Sequence, residues 1–386
     1  MAHKSGLNYH DLLVAAIGTG SNYQAYVDGY FANKYNTAMW DGFSFDLVPM
    51  MNYTYQQFQV ELKLNCMATY VNPDSKGKAQ STEGFSILSG TIPTLSTVLE
   101  RDSKEVRDLM NIKSMNSGVS AVDVALEQLY KKTDSMLGSH VNSITYQRNQ
   151  MVSNGKLELL STNNPGGLQN ITFSAQIPAD NVTTLAGNFK WWTSAAHTTE
   201  GSTSDPIKDI KAKVKALKDV GVSAVTIEMD YLLKEDLLAH SKVVTAIGYN
   251  AYFAAAGDAA ALAIGLNLDI DQRLLRLGNI VGATIKVVDH IAAVETWSKT
   301  AMAAVKTQIR SFAPDVLVFR PTGDIGTIKH VMPVIPPTGT TATYFNGSLL
   351  MRVYSDINTN IQYFNTEQAV LSVIDKPKYI HRLVVL

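Results

Sequence analysis

Residues 121–154 carry a stripe of apolar or small side chains, Val122, Leu126, Leu129, Thr133, Met136, His140, Ile144 and Met151, at mostly three- and four-residue spacing. That period belongs to an amphipathic α-helix. Ser120 is a good N-cap with Asp123 three positions on, and Asn154-Gly155 is a stop, because glycine readily takes the left-handed conformation that ends a helix. At the usual rise the helix is about 50 Å long, well beyond the diameter of a small domain. Glu127 and Lys131 form a favourable i,i+4 pair on its other side. Arg148 falls in the last turns, where a cation suits the helix dipole, and Lys156 just after the stop is expected to serve the same dipole. The strand-like "KLELL" follows at once, so a β layer is expected beside this rib.

A second long element precedes it. From Phe58 to Tyr70, Phe58, Val60, Leu62, Leu64, Cys66, Ala68 and Tyr70 alternate with Gln59, Glu61, Lys63, Asn65, Met67 and Thr69. Period two over that length predicts one half-buried strand of about 40 Å. It runs into the polar, turn-rich "VNPDSKGKAQSTEG", and "FSILSGTIPTLSTVLE" returns as a second strand. An isolated hairpin of this kind is marginal in water, so it is expected to lie on a neighbour.

The remainder is built from shorter pieces. Residues 7–36 hold two short helix-like pieces that make no core alone and read as an arm. Residues 156–200 alternate strands with turns and include the adjacent Trp191 and Trp192. "DPIKDIKAKVKALKDVG" is a helix with Asp205 as N-cap, Pro206 at the first helical position, Ile207, Ile210, Val214 and Leu217 inward, and Gly221 as stop. "VSAVTIEM" is a strand, "DYLLKEDLLAHSKVV" a helix, "DQRLLRLG" a short helix, and "ATIKVVDH" and "DVLVFRP" are strands. This alternation predicts a compact α/β subdomain over residues 200–330. The last forty residues read as extended β structure.

The 386 residues carry a formal net charge of -1, and charged residues make up only 17% against abundant Ser, Thr, Asn and Gln. Much of such a surface is expected to lie against other protein. The single Cys66 excludes a disulfide within the chain and argues against a cysteine-based metal site. The opening residues lack the pattern of a secretory signal and no apolar run is long enough for a membrane span, so a cytoplasmic protein is expected. With no basic cluster beyond one helix, sequence-specific nucleic-acid recognition has no support, while contact with packaged nucleic acid needs no base reading.

Chemical motifs are sparse. "GTGSNY" lacks the third glycine of a dinucleotide turn and follows no strand. Asp269 and Asp271, and the strand end at Asp289 and His290, read as capping and turn chemistry rather than metal ligands. Asp236 and His240 read as a solvated i,i+4 ion pair, and Lys208, Lys211, Lys213, Lys215 and Lys218 as a solvated helix face. No nucleophile elbow, Walker A pattern or zinc-protease motif is present, which speaks against an enzyme. The alternative is a cytoplasmic α/β enzyme with residues 200–330 as its core and a site near Asp289 and His290.

The order of these elements resembles the major capsid protein of tailed double-stranded DNA bacteriophages, in the subgroup with lambda-type shells. The same shell fold recurs in encapsulins and herpesvirus capsid floors. "ITYQRNQMVSNGKLEL" is similar to the family's helix ending, a Gln-x-x-x-x-Gly-Lys turn into a strand. "LGNIVGATIKVVDH" through "FAPDVLVFRPTGDIGTIKH" and the closing "VLSVIDKPKYIHRLVV" are similar to its later strands. The resemblance implies an α+β fold with an N-terminal arm (1–48), an E-loop hairpin (49–110), a peripheral domain (111–200) with a spine helix over 120–154, an α/β axial domain (201–345) and C-terminal strands returning to the peripheral domain (346–386). It implies a structural, non-enzymatic protein without cofactor or metal. Copies would assemble as hexamers and pentamers into an icosahedral shell that encloses DNA without sequence specificity. Its partners would be a portal, a decoration protein and a scaffold. The first helix begins within about ten residues, so the scaffold is expected to be a separate protein. Lys76 and Lys78 at the hairpin tip, where some members form cross-links, and Trp191 and Trp192 are the residues expected to serve assembly.

Overall fold

The computed structural model describes residues 41–45, 52–58, 87–101, 121–165, 167–194, 197, 199–251, 257–298, 303–333, 341–345, 348–356 and 361–386. Most of the expected N-terminal arm, "GTGSNY", the strand beyond Phe58 and the tip with Lys76 and Lys78 lie outside the described residues. In chain order the elements begin with β1 (Phe43–Phe45), β2 (Thr54–Phe58), β3 (Ile87–Thr91), β4 (Thr94–Arg101), α1 (Ala121–Ser153), β5 (Lys156–Leu159), β6 (Ile171–Ser174) and β7 (Val182–Thr184). They continue with α2 (Pro206–Asp219), β8 (Val225–Asp230), α3 (Tyr231–Ala239), α4 (Ser241–Ala251), α5 (Asp258–Leu266), α6 (Ile270–Val281) and β9 (Thr284–Val288). The last are β10 (Ile291–Ser298), β11 (Ala303–Arg310), β12 (Val316–Pro321), β13 (Gly326–Val331), β14 (Thr341–Phe345), β15 (Leu349–Asp356), β16 (Ile361–Ile374) and β17 (His381–Val384).

The chain forms two compact units, one from residues 1–55, 89–145 and 327–372, the other from residues 56–88, 146–326 and 373–386. The first is organised by β16, which pairs antiparallel with β15 on one side and with β4 on the other, in a sheet that also holds β1, β13 and β14. Ala369, Val370 and Leu371 on β16 and Leu349, Leu350 and Met351 on β15 are buried. The α1 residues Met136, His140 and Ile144, expected in the apolar stripe, are buried together with Leu137 and Val141. His140 is the polar member: its Nε2 lies 2.9 Å from Thr366 Oγ1, and burial holds its pKa down at about 4.

The second unit is a five-stranded mixed sheet in the order β7-β17-β12-β8-β9, with helices packed on it. Both central strands, β8 and β12, are buried along their whole length; on β8 the polar Thr226, Glu228 and Asp230 alternate with Val225, Ile227 and Met229, so each buried polar side chain needs an internal partner. β8 and β9 are parallel, and α3 to α6 form the crossover that a parallel pair requires. α2 matches its expected caps: Asp205 Oδ1 accepts from the Lys208 amide at 3.1 Å, Pro206 opens the helix, and Ile210, Val214 and Leu217 face the core. Helices α4 and α5 pack closely through their glycines. A Cβ on Gly248 of α4 would stand 1.8 Å from the Ala261 carbonyl oxygen, and one on Gly265 of α5 would stand 2.3 Å from that of Val244, so these helices touch backbone to backbone.

Two expectations change. The segment read as one helix over 230–244 is two, with His240 extended (φ -60°, ψ 129°) at the break. Glu200 explains it: its carboxylate accepts from the Ser241 amide at 2.7 Å and the Ser241 hydroxyl at 2.5 Å, capping α4 from a distant loop. The segment between "ATIKVVDH" and "DVLVFRP" contains an antiparallel hairpin, β10–β11, with Ile291 opposite Arg310 and Ser298 opposite Ala303.

The helix stop is as expected, with Gly155 at φ +69°. The cation at the helix end is neither Arg148 nor Lys156. Arg382 Nε donates to the Ser153 carbonyl at 2.6 Å, while Lys156 is exposed and pairs with Glu158 at 2.7 Å. A Cβ on Gly155 would also meet Arg382 Nη1 at 3.2 Å. Gly155→Ala should therefore cost about 1–2 kcal/mol, read as a lower denaturant midpoint with an unchanged m-value. In the first unit, His140 is held neutral well below its ordinary value near 6.5, so its contribution is present above that pH and is lost as pH falls towards 4. His140→Gln should remove on the order of 3 kcal/mol from the acid-induced loss of stability across that window, measured by denaturation at stepped pH.

Candidate functional site

The sequence "YQRNQMVSNGK" covers the last turns of α1 and its stop, which belong to the second unit, and its polar residues hold these turns within that unit. Arg148 is buried. Its Nη1 and Nη2 each donate to one oxygen of Glu228 on β8 at 2.7 Å, a bidentate pair. Arg320 on the neighbouring β12 donates through Nε to Glu228 Oε1 at 2.7 Å and through Nη1 to the Pro321 carbonyl at 3.1 Å. Side-chain exposure across the three is 3%, 0% and 1%, so water screens none of them. Burial alone would push the Glu228 carboxyl up, but Arg148 and Arg320 outweigh it and hold its pKa at about 2. Arg148 is thus an internal anchor, and the sequence reading of it as a dipole partner is corrected.

Its neighbours stitch the same turns to the chain after β11. Asn149 Nδ2 donates to Ser311 Oγ and Gln150 Nε2 to the Ser311 carbonyl, both at 2.8 Å. The Ala313 amide donates to Ser153 Oγ at 3.1 Å. Gln150 and Gly155, the paired positions of the quoted turn motif, therefore divide the work: one holds the following loop and the other reverses the chain.

Asp289 and His290 stand at the base of the β10–β11 hairpin. Arg310 Nη1 lies 3.1 Å from Asp230 Oδ1 and 3.6 Å from Asp289 Oδ1, and Asp230 also caps α3 by accepting from the Leu232 amide at 3.0 Å. The His290 carbonyl accepts from the Ser311 amide and hydroxyl, and burial lowers the pKa of its ring. These contacts give both residues a role in anchoring the hairpin.

Trp191 and Trp192 are 0% and 2% exposed and sit in the core of the second unit. Trp191 Nε1 donates to Asp209 Oδ2 at 2.9 Å, and Trp192 stacks on His197 at 4.6 Å. Any effect of these tryptophans on assembly therefore runs through the fold of this unit. Asp236 and His240 do not pair with each other. Asp236 Oδ2 is 2.5 Å from His197 Nδ1, while His240 is buried with Nε2 3.1 Å from Ser204 Oγ. Asp269 stands at the N-cap of α6 without a side-chain cap bond, and Asp271 lies in its first turn. Among the described residues no group of three or more His, Cys, Asp or Glu is placed to hold a metal ion.

Glu228→Gln leaves two buried guanidinium groups without their charge partner and should cost about 3–5 kcal/mol. The folded carboxyl titrates far below its ordinary value of 4.5, so its contribution exists above that pH and is lost as pH falls towards 2. Wild type should show this acid loss in urea denaturation, and Glu228→Gln should lack it.

No curated protein matches the sequence significantly. Among solved structures, a phage-related protein from Bordetella bronchiseptica aligns with 13% identity over 88% of this chain and 89% of its own, with a TM-score of 0.45. The mature capsid of bacteriophage PhiM1 aligns with 10% identity over 91% and 87%, TM-score 0.42. The procapsid of satellite phage P4, which includes the size determination (Sid) protein, aligns with 8% identity over 94% and 98%, TM-score 0.43. The profile of the family described as phage major capsid protein E matches residues 33–385. That span covers nearly the whole sequence: the chain belongs to the phage major capsid protein E family, and is a structural capsid protein of a bacteriophage rather than an enzyme.

Proposed function

We propose that copies of this chain assemble as hexamers and pentamers into an icosahedral shell, of the lambda-type subgroup, that encloses phage double-stranded DNA. A separate scaffold and a portal direct assembly in the host cytoplasm, a decoration protein is a further partner, and no membrane takes part. The observation that carries the reading beyond family membership is the β10–β11 hairpin. Its strands pair only with each other among the described residues, so each leaves an unpaired edge. Glu295 and Lys306 face each other across it at 3.8 Å and are exposed, and Ile291 and Val305 are 46% and 42% exposed. A two-stranded ribbon with open edges is marginal in water and gains most when a neighbour covers it.

On this reading the shell is held by many modest contacts. The long α1 gives each subunit a rib, the residue 56–99 hairpin with Lys76 and Lys78 at its tip reaches across one neighbour, β10–β11 reaches another, and residues 1–48 lace beneath. Such contacts are individually small and become strong because they close simultaneously.

Wild type, expressed alone and with its scaffold, should form capsomers or shells by size exclusion and negative-stain microscopy. Deleting residues 72–84, or loosening the hairpin base with Arg310→Ala, should leave a folded subunit whose shell yield falls at least tenfold. A wild-type chain that stays monomeric under all these conditions defeats the proposal.

A further inference from the structure

The solvent face of α2 carries charge of almost one sign. Lys208, Lys211, Lys215 and Lys218 follow one another at spacings of three, four and three, so they lie on one helical arc opposite the buried Ile210, Val214 and Leu217. All four are exposed, and the row runs for about 15 Å along the helix. None pairs with a carboxylate among the described residues; Lys218 reaches only the Gly282 carbonyl, at 3.4 Å. The fifth lysine behaves differently. Lys213 is half-buried, donates to Thr183 Oγ1 at 2.6 Å, and burial lowers its pKa.

This row is costly for an isolated helix. Lys211 and Lys215 are an i,i+4 like-charge pair, and the i,i+3 neighbours on either side are like-charged too, each mildly destabilising. Charged residues make up only 17% of the sequence, with 33 basic against 34 acidic side chains, so a one-sign row is out of keeping with the rest. The arc holds lysines, Ala212 and Asp219, and no Arg, Asn or Gln that could read a base edge. Among the described residues no helix or strand presents an acidic row of matching length, so no described element of a second copy offers the counter-charge.

We propose that this face of α2 binds the phosphate backbone of double-stranded DNA without sequence preference, and so is a surface through which the shell meets its contents. The inference rests on the proposed DNA-enclosing function and adds the contact surface to it. Lysines 4.5–6 Å apart along an axis are point charges suited to successive phosphates, by electrostatics that need no exact geometry.

The test uses full-length, unassembled wild-type subunits and a short fluorescent duplex, with binding followed by anisotropy from 50 to 200 mM salt. Four phosphate contacts predict about a hundredfold loss of affinity over that range. Replacing Lys208, Lys211, Lys215 and Lys218 together with Gln should weaken binding at least tenfold at 50 mM salt and flatten the salt slope by about 3. The same four positions changed to Arg should keep binding, and Lys213→Gln should leave it unaltered. Circular dichroism confirms that each variant is folded, and capsomer formation, read separately by size exclusion, reports on the assembly reading. No duplex binding by wild type, or equal affinity and salt slope in the quadruple Gln variant, overturns the proposal. So does poly-glutamate displacing the duplex at lower charge concentration than competing DNA, which would assign the face to an acidic protein segment.

Discussion

Glu228, held between Arg148 and Arg320, is the interaction on which the second unit depends. Each charge lost its water on burial, a cost repaid only while all three stay in register. β8 and β12 are adjacent and antiparallel, with Glu228 opposite Val318, so the sheet itself sets Glu228 and Arg320 side by side. The bidentate fork of Arg148 then accepts only one rotation and one height of the last turns of α1. Apolar packing tolerates a helix shifted by a fraction of a turn, whereas a buried carboxylate does not.

The surrounding polar contacts follow from that placement. With α1 fixed, Asn149, Gln150 and Ser153 meet residues 311–313, just past the end of β11. Asp230, two residues on from Glu228, caps α3 and pairs with Arg310 at the hairpin base. One buried strand thereby sets the helix end, the start of the crossover and the hairpin root.

Local signals were legible where local physics decides. The helix stop at Gly155, the Asp205-Pro206 start of α2, the inward face of α2 and that of α1 at Met136, His140, Ile144 and Met151 all follow from period, capping and turn chemistry. The break at His240 did not, because its cause is Glu200, forty residues away in a loop with no helical signature. β10–β11 was missed because its Ala- and Thr-rich strands have weak alternation. Five lysines in α2 looked alike in sequence, and only the fold separates Lys213, turned toward Thr183, from the four on the outer face.

The sequence by itself determined that this chain has a rib of about 50 Å, where it ends, and which faces of its elements are apolar, because periodicity and glycine chemistry act over a few residues. The tertiary structure alone decided what each charge is for. Arg148 became an internal anchor, Arg382 took the helix end expected of Lys156, and Asp236 left His240 for His197. A charged side chain finds its partner across tens or hundreds of residues, and nothing in its own neighbourhood records which partner the fold will bring.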